Sequence, residues 1–126
     1  MEAEALNIPA VIAGAVAGFL FGWLIYHPKV LGKTWAKGSG VDLESGDGPP
    51  VLAFGLQIGA LICLALVIGI TATISYLGTA LLAIAACVLF VVGGGAFSGK
   101  SMGALLTDGL YVFGAGALMI VAQGLL

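Results

Sequence analysis

The sequence is short of charge. Charged residues make up 8% of its 126 residues, and none of its four cations is an arginine. A soluble domain carries about 25% charged residues, enough to cover its surface with polar groups. This chain cannot do that, and 61% of it is hydrophobic. Lipid as the outer solvent removes the difficulty. The net charge of −2 and the absence of arginine point away from nucleic acid, whose backbone demands clustered cations to displace counterions.

Chemistry-bearing residues are equally sparse. One histidine, His27, cannot build a metal site, and the two cysteines, Cys63 and Cys87, form no CxxC pair. Both cysteines read as small core-filling residues. There is no GxSxG, no HExxH, no nucleotide-binding loop and no pair of intramembrane carboxylates. No enzyme, no metal and no cofactor is expected. The start, Met-Glu-Ala-Glu, is acidic where a secretory signal is basic, so the first apolar run reads as a span.

Four long apolar runs are present. A bilayer core about 30 Å thick needs about 20 apolar residues to cross as a helix. Residues 8–26, 51–70, 74–97 and 104–125 meet that need. They are continuously apolar, whereas barrel strands alternate. The expectation is an all-α membrane protein of one domain, four transmembrane helices in an antiparallel bundle. The main connection, 27–50, holds Gly38, Gly40, Gly46 and Gly48 and ends in Pro49 and Pro50. Thr71 to Thr73 is too short for anything but a tight hairpin, and the last connection centres on 98–102.

The lysines give the bundle a side. Lys29, Lys33 and Lys37 lie in the first connection and Lys100 in the third. With four spans these connections share one face of the membrane. The positive-inside rule then places them in the cytoplasm and both termini in the periplasm of a bacterial inner membrane.

Glycines suggest the packing. Without a hydrophobic drive between helices in lipid, association depends on close backbone approach. Gly14, Gly18 and Gly22 draw a groove down the first span, and Gly55 and Gly59 repeat the spacing in the second. The groove fits either a dimer seam or a tight contact inside one bundle. Gly93, Gly94 and Gly95, near the end of the third span, fit a bend or a fraying helix end.

Polar residues inside the spans are few: Gln57, Gln123 and one charge, Asp108. Charges there are costly and face protein or water. By depth, Gln57 and Asp108 lie roughly 7–10 Å below the lysine-bearing surface. Trp23, Tyr26 and His27 end the first span at that level, and Tyr111 stands three residues beyond Asp108 on a neighbouring part of the helix. A polar cluster of Asp108, Tyr111, Gln57, Trp23, Lys33 and His27 is therefore expected, with Lys33, Lys100 or His27 as the cation. Asp108 fits either a coupling or ligand-binding carboxylate or an anchoring ion pair at a helix start.

Residues 28–37 carry Lys29, Lys33 and Lys37 on one helical face and Leu31 and Trp35 on the other. A short helix in the membrane interface, lysines toward anionic headgroups, accounts for this. An irregular turn remains the alternative. Trp23, Tyr26 and Trp35 fit a headgroup-level aromatic belt, with Lys29 and Lys37 as further anchors. Asp42, Glu44 and Asp47 follow in a solvated loop that lacks a calcium-loop spacing.

These residues also carry a resemblance. Trp23, Tyr26, Pro28, then Leu31-Gly32-Lys33 and Trp35, followed in the fourth span by Asp108-Gly109-Leu110-Tyr111, resemble the bacterial membrane family called domain of unknown function 1761. Its members are small four-span proteins with no assigned activity. The resemblance implies that Trp23, Lys33, Trp35, Asp108 and Tyr111 belong together. This sequence departs from the pattern in its glycine- and acid-rich connection and in the single basic residue before the fourth span.

The sequence thus leads to two expectations. One is a non-enzymatic structural or accessory subunit that packs as a homo-oligomer or in a larger membrane protein complex. The other is a small dimeric transporter or channel using Asp108 for coupling. The lipid bilayer is a partner in both.

Overall fold

The computed structural model describes residues 6–42 and 51–126. Met-Glu-Ala-Glu at the start, and Glu44, Gly46, Asp47, Gly48, Pro49 and Pro50 of the main connection, lie outside the described residues.

Five α-helices and one π-helical turn follow in order: α1 (Ile8–Ile25), the turn (Pro28–Gly32), α2 (Lys33–Ser39), α3 (Val51–Thr73), α4 (Leu77–Phe97) and α5 (Met102–Leu125). No strand occurs among the described residues. Helices α1, α3, α4 and α5 hold 18, 23, 21 and 24 residues and are apolar enough to cross a membrane. At about 1.5 Å per residue even the shortest is roughly 27 Å long, close to the hydrocarbon thickness. The chain is a multi-pass membrane protein.

α1 and α5 start at side-chain caps. The Asn7 side chain accepts from the Ala10 N–H at 3.1 Å, and Pro9 occupies the first turn, where no amide is missed. Ser101 does the same for α5, accepting from the Ala104 N–H at 3.2 Å. The hairpin between α3 and α4 comes one turn later than the sequence suggests. Thr71 and Thr73 do not break the helix, because their hydroxyls donate back to the Ile68 and Ile70 carbonyls at 2.9 and 2.6 Å. The chain turns only at Ser75, whose φ of 56° is left-handed. At the other end α4 continues through Gly93, Gly94 and Gly95 to Phe97.

α1 and α5 form the most extensive pair. Gly14, Gly18 and Gly22 make this possible. A Cβ on Gly14 stands 3.1 Å from the Met119 backbone, one on Gly18 3.2 Å from Ala115, and one on Gly22 2.6 Å from the Tyr111 ring. The groove is filled by α5 of the same chain, with Leu61 of α3 also touching Gly18. A close approach of α1 at Gly55 and Gly59 does not occur, since among the described residues no atom of another element lies within 4 Å of either Cβ position. Both turn outward because α3 faces the bundle with Leu61, Leu64, Ala65 and Ile68. These join Val11, Ala80, Ile84, Ala115 and Met119 in one core. Cys87 packs against that core, but Cys63 is exposed on the outer side of α3 and fills no core.

Segment 28–39 is helical, and its apolar face has a different use from the one expected. Gly32 and Ala36 are buried and Trp35 half-buried, while Lys29, Lys33 and Lys37 are exposed. The segment folds back over the end of the bundle and packs on α5. The Ser101 N–H donates to the Gly38 carbonyl at 3.0 Å, and a side chain at Gly38 would collide with Ser101. The reversal itself needs Gly32, where a Cβ would run into the carbonyls of Tyr26 and His27.

Candidate functional site

Four tertiary decisions converge at the lysine-bearing end. The turn after α1 brings Tyr26 inward. The fold-back of α2 brings Trp35. The connection between α4 and α5 brings Lys100, and the first turns of α5 bring Asp108.

Asp108 is 6% exposed and both its oxygens are engaged. The Tyr26 hydroxyl donates to one of them, in a short hydrogen bond. The Lys100 ammonium donates to the other at 2.8 Å. The ammonium also sits 5.6 Å from the centre of the Trp35 ring, within reach of a cation–π attraction. Trp35 meets Tyr26 edge-on at 5.3 Å, and Tyr26 meets Tyr111 edge-on at 5.5 Å. Such tilted pairs match the ring quadrupoles and add about 0.5–1.5 kcal/mol each beyond area burial. The Tyr111 hydroxyl donates to the Gln57 side-chain carbonyl at 3.3 Å, which ties α3 to the group. Among the described residues the buried indole N–H of Trp35 has no hydrogen-bond partner, and the ring acts here through its faces and edge.

Of the cluster residues expected from depth, the structure brings together Asp108, Tyr111 and Gln57. Trp23 is 63% exposed and stacks on Phe19 at 6.2 Å instead. His27 is exposed and caps the π-helical turn, accepting from the Lys29 N–H at 3.1 Å. Lys33 is exposed on the outer face of α2. The cation is Lys100. Tyr26, expected at this depth and as a belt anchor, and Trp35, expected as a belt anchor and grouped with Asp108 by the resemblance, join Tyr111 as the aromatic members of the cluster. Lys29 and Lys37 remain exposed.

The reason is azimuth. Gly14, Gly18 and Gly22 face α5, and the next residue at that spacing is Tyr26. Trp23 is one residue off the stripe and so turned by about 100°. Both residues stand at the same end of α1, but only Tyr26 faces inward. The glycine spacing, carried one step further, was the signal for Tyr26.

Gln123 lies at the opposite end. It lines a recess of about 180 Å³ with Asn7, Gly69, Ala72 and Thr73. Among the described residues, no group of three or more His, Cys, Asp or Glu could hold a metal.

The family model described as a protein of unknown function (DUF1761) matches residues 9–124. The chain belongs to this family. The match takes in all four spans, the π-helical turn, α2 and every residue of the Asp108 cluster. No curated protein and no solved structure matches the chain. The family has no assigned function, and the four apolar helices make the chain a multi-pass membrane protein.

Proposed function

We propose that the chain is a non-enzymatic membrane subunit. It packs against itself or a larger membrane complex through the outer surface of α3 and α4. The observation that carries this reading is the state of α3: residues 51–60 are exposed on every side, with Gly55 and Gly59 open. α1, by contrast, spends Gly14, Gly18 and Gly22 on α5, and α5 spends Gly114 on α1 and Gly109 and Gly116 on α4. A helix with open glycines in lipid is ready for close backbone approach by another helix.

The alternative, a small transporter coupled through Asp108, fits less well. A coupling carboxylate exchanges partners during its cycle. Here both oxygens are held by partners from distant and local parts of the chain, and these partners also orient α2 and the connection between α4 and α5. The cluster acts as a clasp that keeps the lysine-bearing end closed. In this reading the lysine-bearing end faces the cytoplasm of a bacterial inner membrane and both termini face the periplasm, following the positive-inside rule.

The test is extraction from native membranes in a mild detergent, followed by native mass measurement. The chain should run in an assembly larger than its own monomer, and Gly55→Leu with Gly59→Leu should release it. A wild-type chain that extracts only as a monomer sinks the proposal. A membrane-impermeant amine reagent checks orientation: it should miss the lysines in intact cells and label them in inverted vesicles.

A further inference from the structure

Of the four lysines, Asp108 neutralises one. Among the described residues the other three, Lys29, Lys33 and Lys37, make no ion pair. Lys33 and Lys37 are neighbours on one face of α2, and Lys29 precedes them by one π-helical turn. Like charges at this spacing repel and weaken a helix. Here they are also held together. The Gly38 carbonyl is bonded to Ser101, and Trp35 is wedged between Tyr26 and Lys100, so the platform carrying the row cannot swing away. Among the described residues this fixed row of three cations has no anion paired with it.

What lies beside the row indicates which anion. The face of α1 that turns away from α5 carries Val16, Leu20, Trp23 and Leu24, all exposed by 51% or more. This stripe is apolar and runs up to His27, the residue that caps the turn bearing Lys29. Val30, 47% exposed, continues the apolar surface between the cations. Trp23 stands where the two surfaces meet, the level favoured by an indole at a bilayer interface. An apolar strip the depth of a leaflet, an indole at its top and cations above it match an acyl chain joined to a negatively charged head.

We infer that Lys29, Lys33 and Lys37 bind the phosphate of an anionic phospholipid whose acyl chain lies along Leu20, Trp23 and Leu24. The inference is independent of the subunit reading, since it concerns α1 and α2 and not the outer face of α3. The competing anions are in the chain itself: Asp42, Glu44 and Asp47 follow α2 in sequence.

The experiment is native mass spectrometry of the whole protein released from mixed micelles holding equal phosphatidylglycerol and phosphatidylcholine. The wild type should retain phosphatidylglycerol preferentially. Each lysine changed to glutamine should lower that preference about fivefold, and Lys29→Gln, Lys33→Gln and Lys37→Gln together should abolish it. The corresponding arginine variants should keep it. All three side chains are exposed, so thermal unfolding in detergent should stay unchanged. Equal retention of the two lipids by the wild type overturns the inference. So does undiminished preference in the triple glutamine variant, which assigns the lysines to the acids of the chain. Inorganic phosphate added at millimolar concentration should not displace the lipid; displacement assigns the site to free phosphate and overturns the lipid assignment.

Discussion

α1 and α5 are one kind of membrane helix in this molecule, and α3 and α4 are another. In the most apolar window of each, 33% of α1 and 39% of α5 is buried inside the protein, against 17% in both α3 and α4. All four are long and apolar, so composition does not separate them. What separates them is the use of small residues. On α1 glycines are spent on contact, with Met119, Ala115 and Tyr111 pressed into the groove. On α3 the same spacing at Gly55 and Gly59 touches nothing. Glycine at every fourth residue gives a helix the capacity for close approach, and the topology decides whether that capacity is used within the chain.

The comparison can be broken most severely at the clasp. Lys100→Met leaves Asp108 buried without its cation, and breaking a buried pair in this way costs about 3–5 kcal/mol. Chemical or thermal unfolding in detergent should show that loss. Lys100→Met combined with Asp108→Leu should recover most of it, because apolar replacement of both partners is often neutral. If the double variant is as unstable as the single, the ion pair does more than fill its space.

Next comes the core. Met119 is 1% exposed and fully buried against α1, so Met119→Ala should cost about 2–5 kcal/mol. Leu82, 71% exposed on α4, should tolerate the same truncation within about 0.5 kcal/mol. Similar losses at the two positions would mean that α4 is packed more tightly than its exposure indicates.

The glycines then separate the two regions directly. Gly22→Leu forces a side chain into the Tyr111 ring and should cost about 1–3 kcal/mol by overpacking. Gly59→Leu should change monomer stability by no more than about 0.5 kcal/mol. The smallest effect is chemical. In the monomer released by Gly55→Leu with Gly59→Leu, a lipid-soluble maleimide should modify exposed Cys63 faster than half-buried Cys87, without disturbing the fold. In the wild-type assembly Cys63 should be protected, and equal reactivity in the two forms would leave the outer face of α3 uncovered.

Much of the architecture was legible in the residues. The four spans follow from apolar length, since lipid leaves only helices as an outlet for continuous hydrophobic runs. The polar cluster was half legible. Counting residues gives depth along a helix, and depth brought Asp108, Gln57 and Tyr111 to one level. It says nothing about rotation, so Trp23 was grouped with residues it faces away from. Lys100 could not be told from Lys33 or His27, because the choice depends on how α2 folds back, and that fold-back rests on tight contacts at Gly32 and Gly38. The hairpin comes later than expected because Thr71 and Thr73 sit inside α3 and not in the connection. In an apolar setting their hydroxyls close on the preceding turn and let the helix run on.

One pairing bears on how the protein enters the membrane at all. Asp108 draws its hydroxyl donor from 82 residues away but its ammonium from only eight residues away. α4 and α5 are joined through the connection that holds that ammonium. The carboxylate therefore carries its own counter-ion, and the hairpin of α4 and α5 is electrically neutral as a unit in lipid. The costly part of the last span is discharged locally, whatever the position of α1, and Tyr26 adds its hydroxyl to a pair that the hairpin supplies by itself.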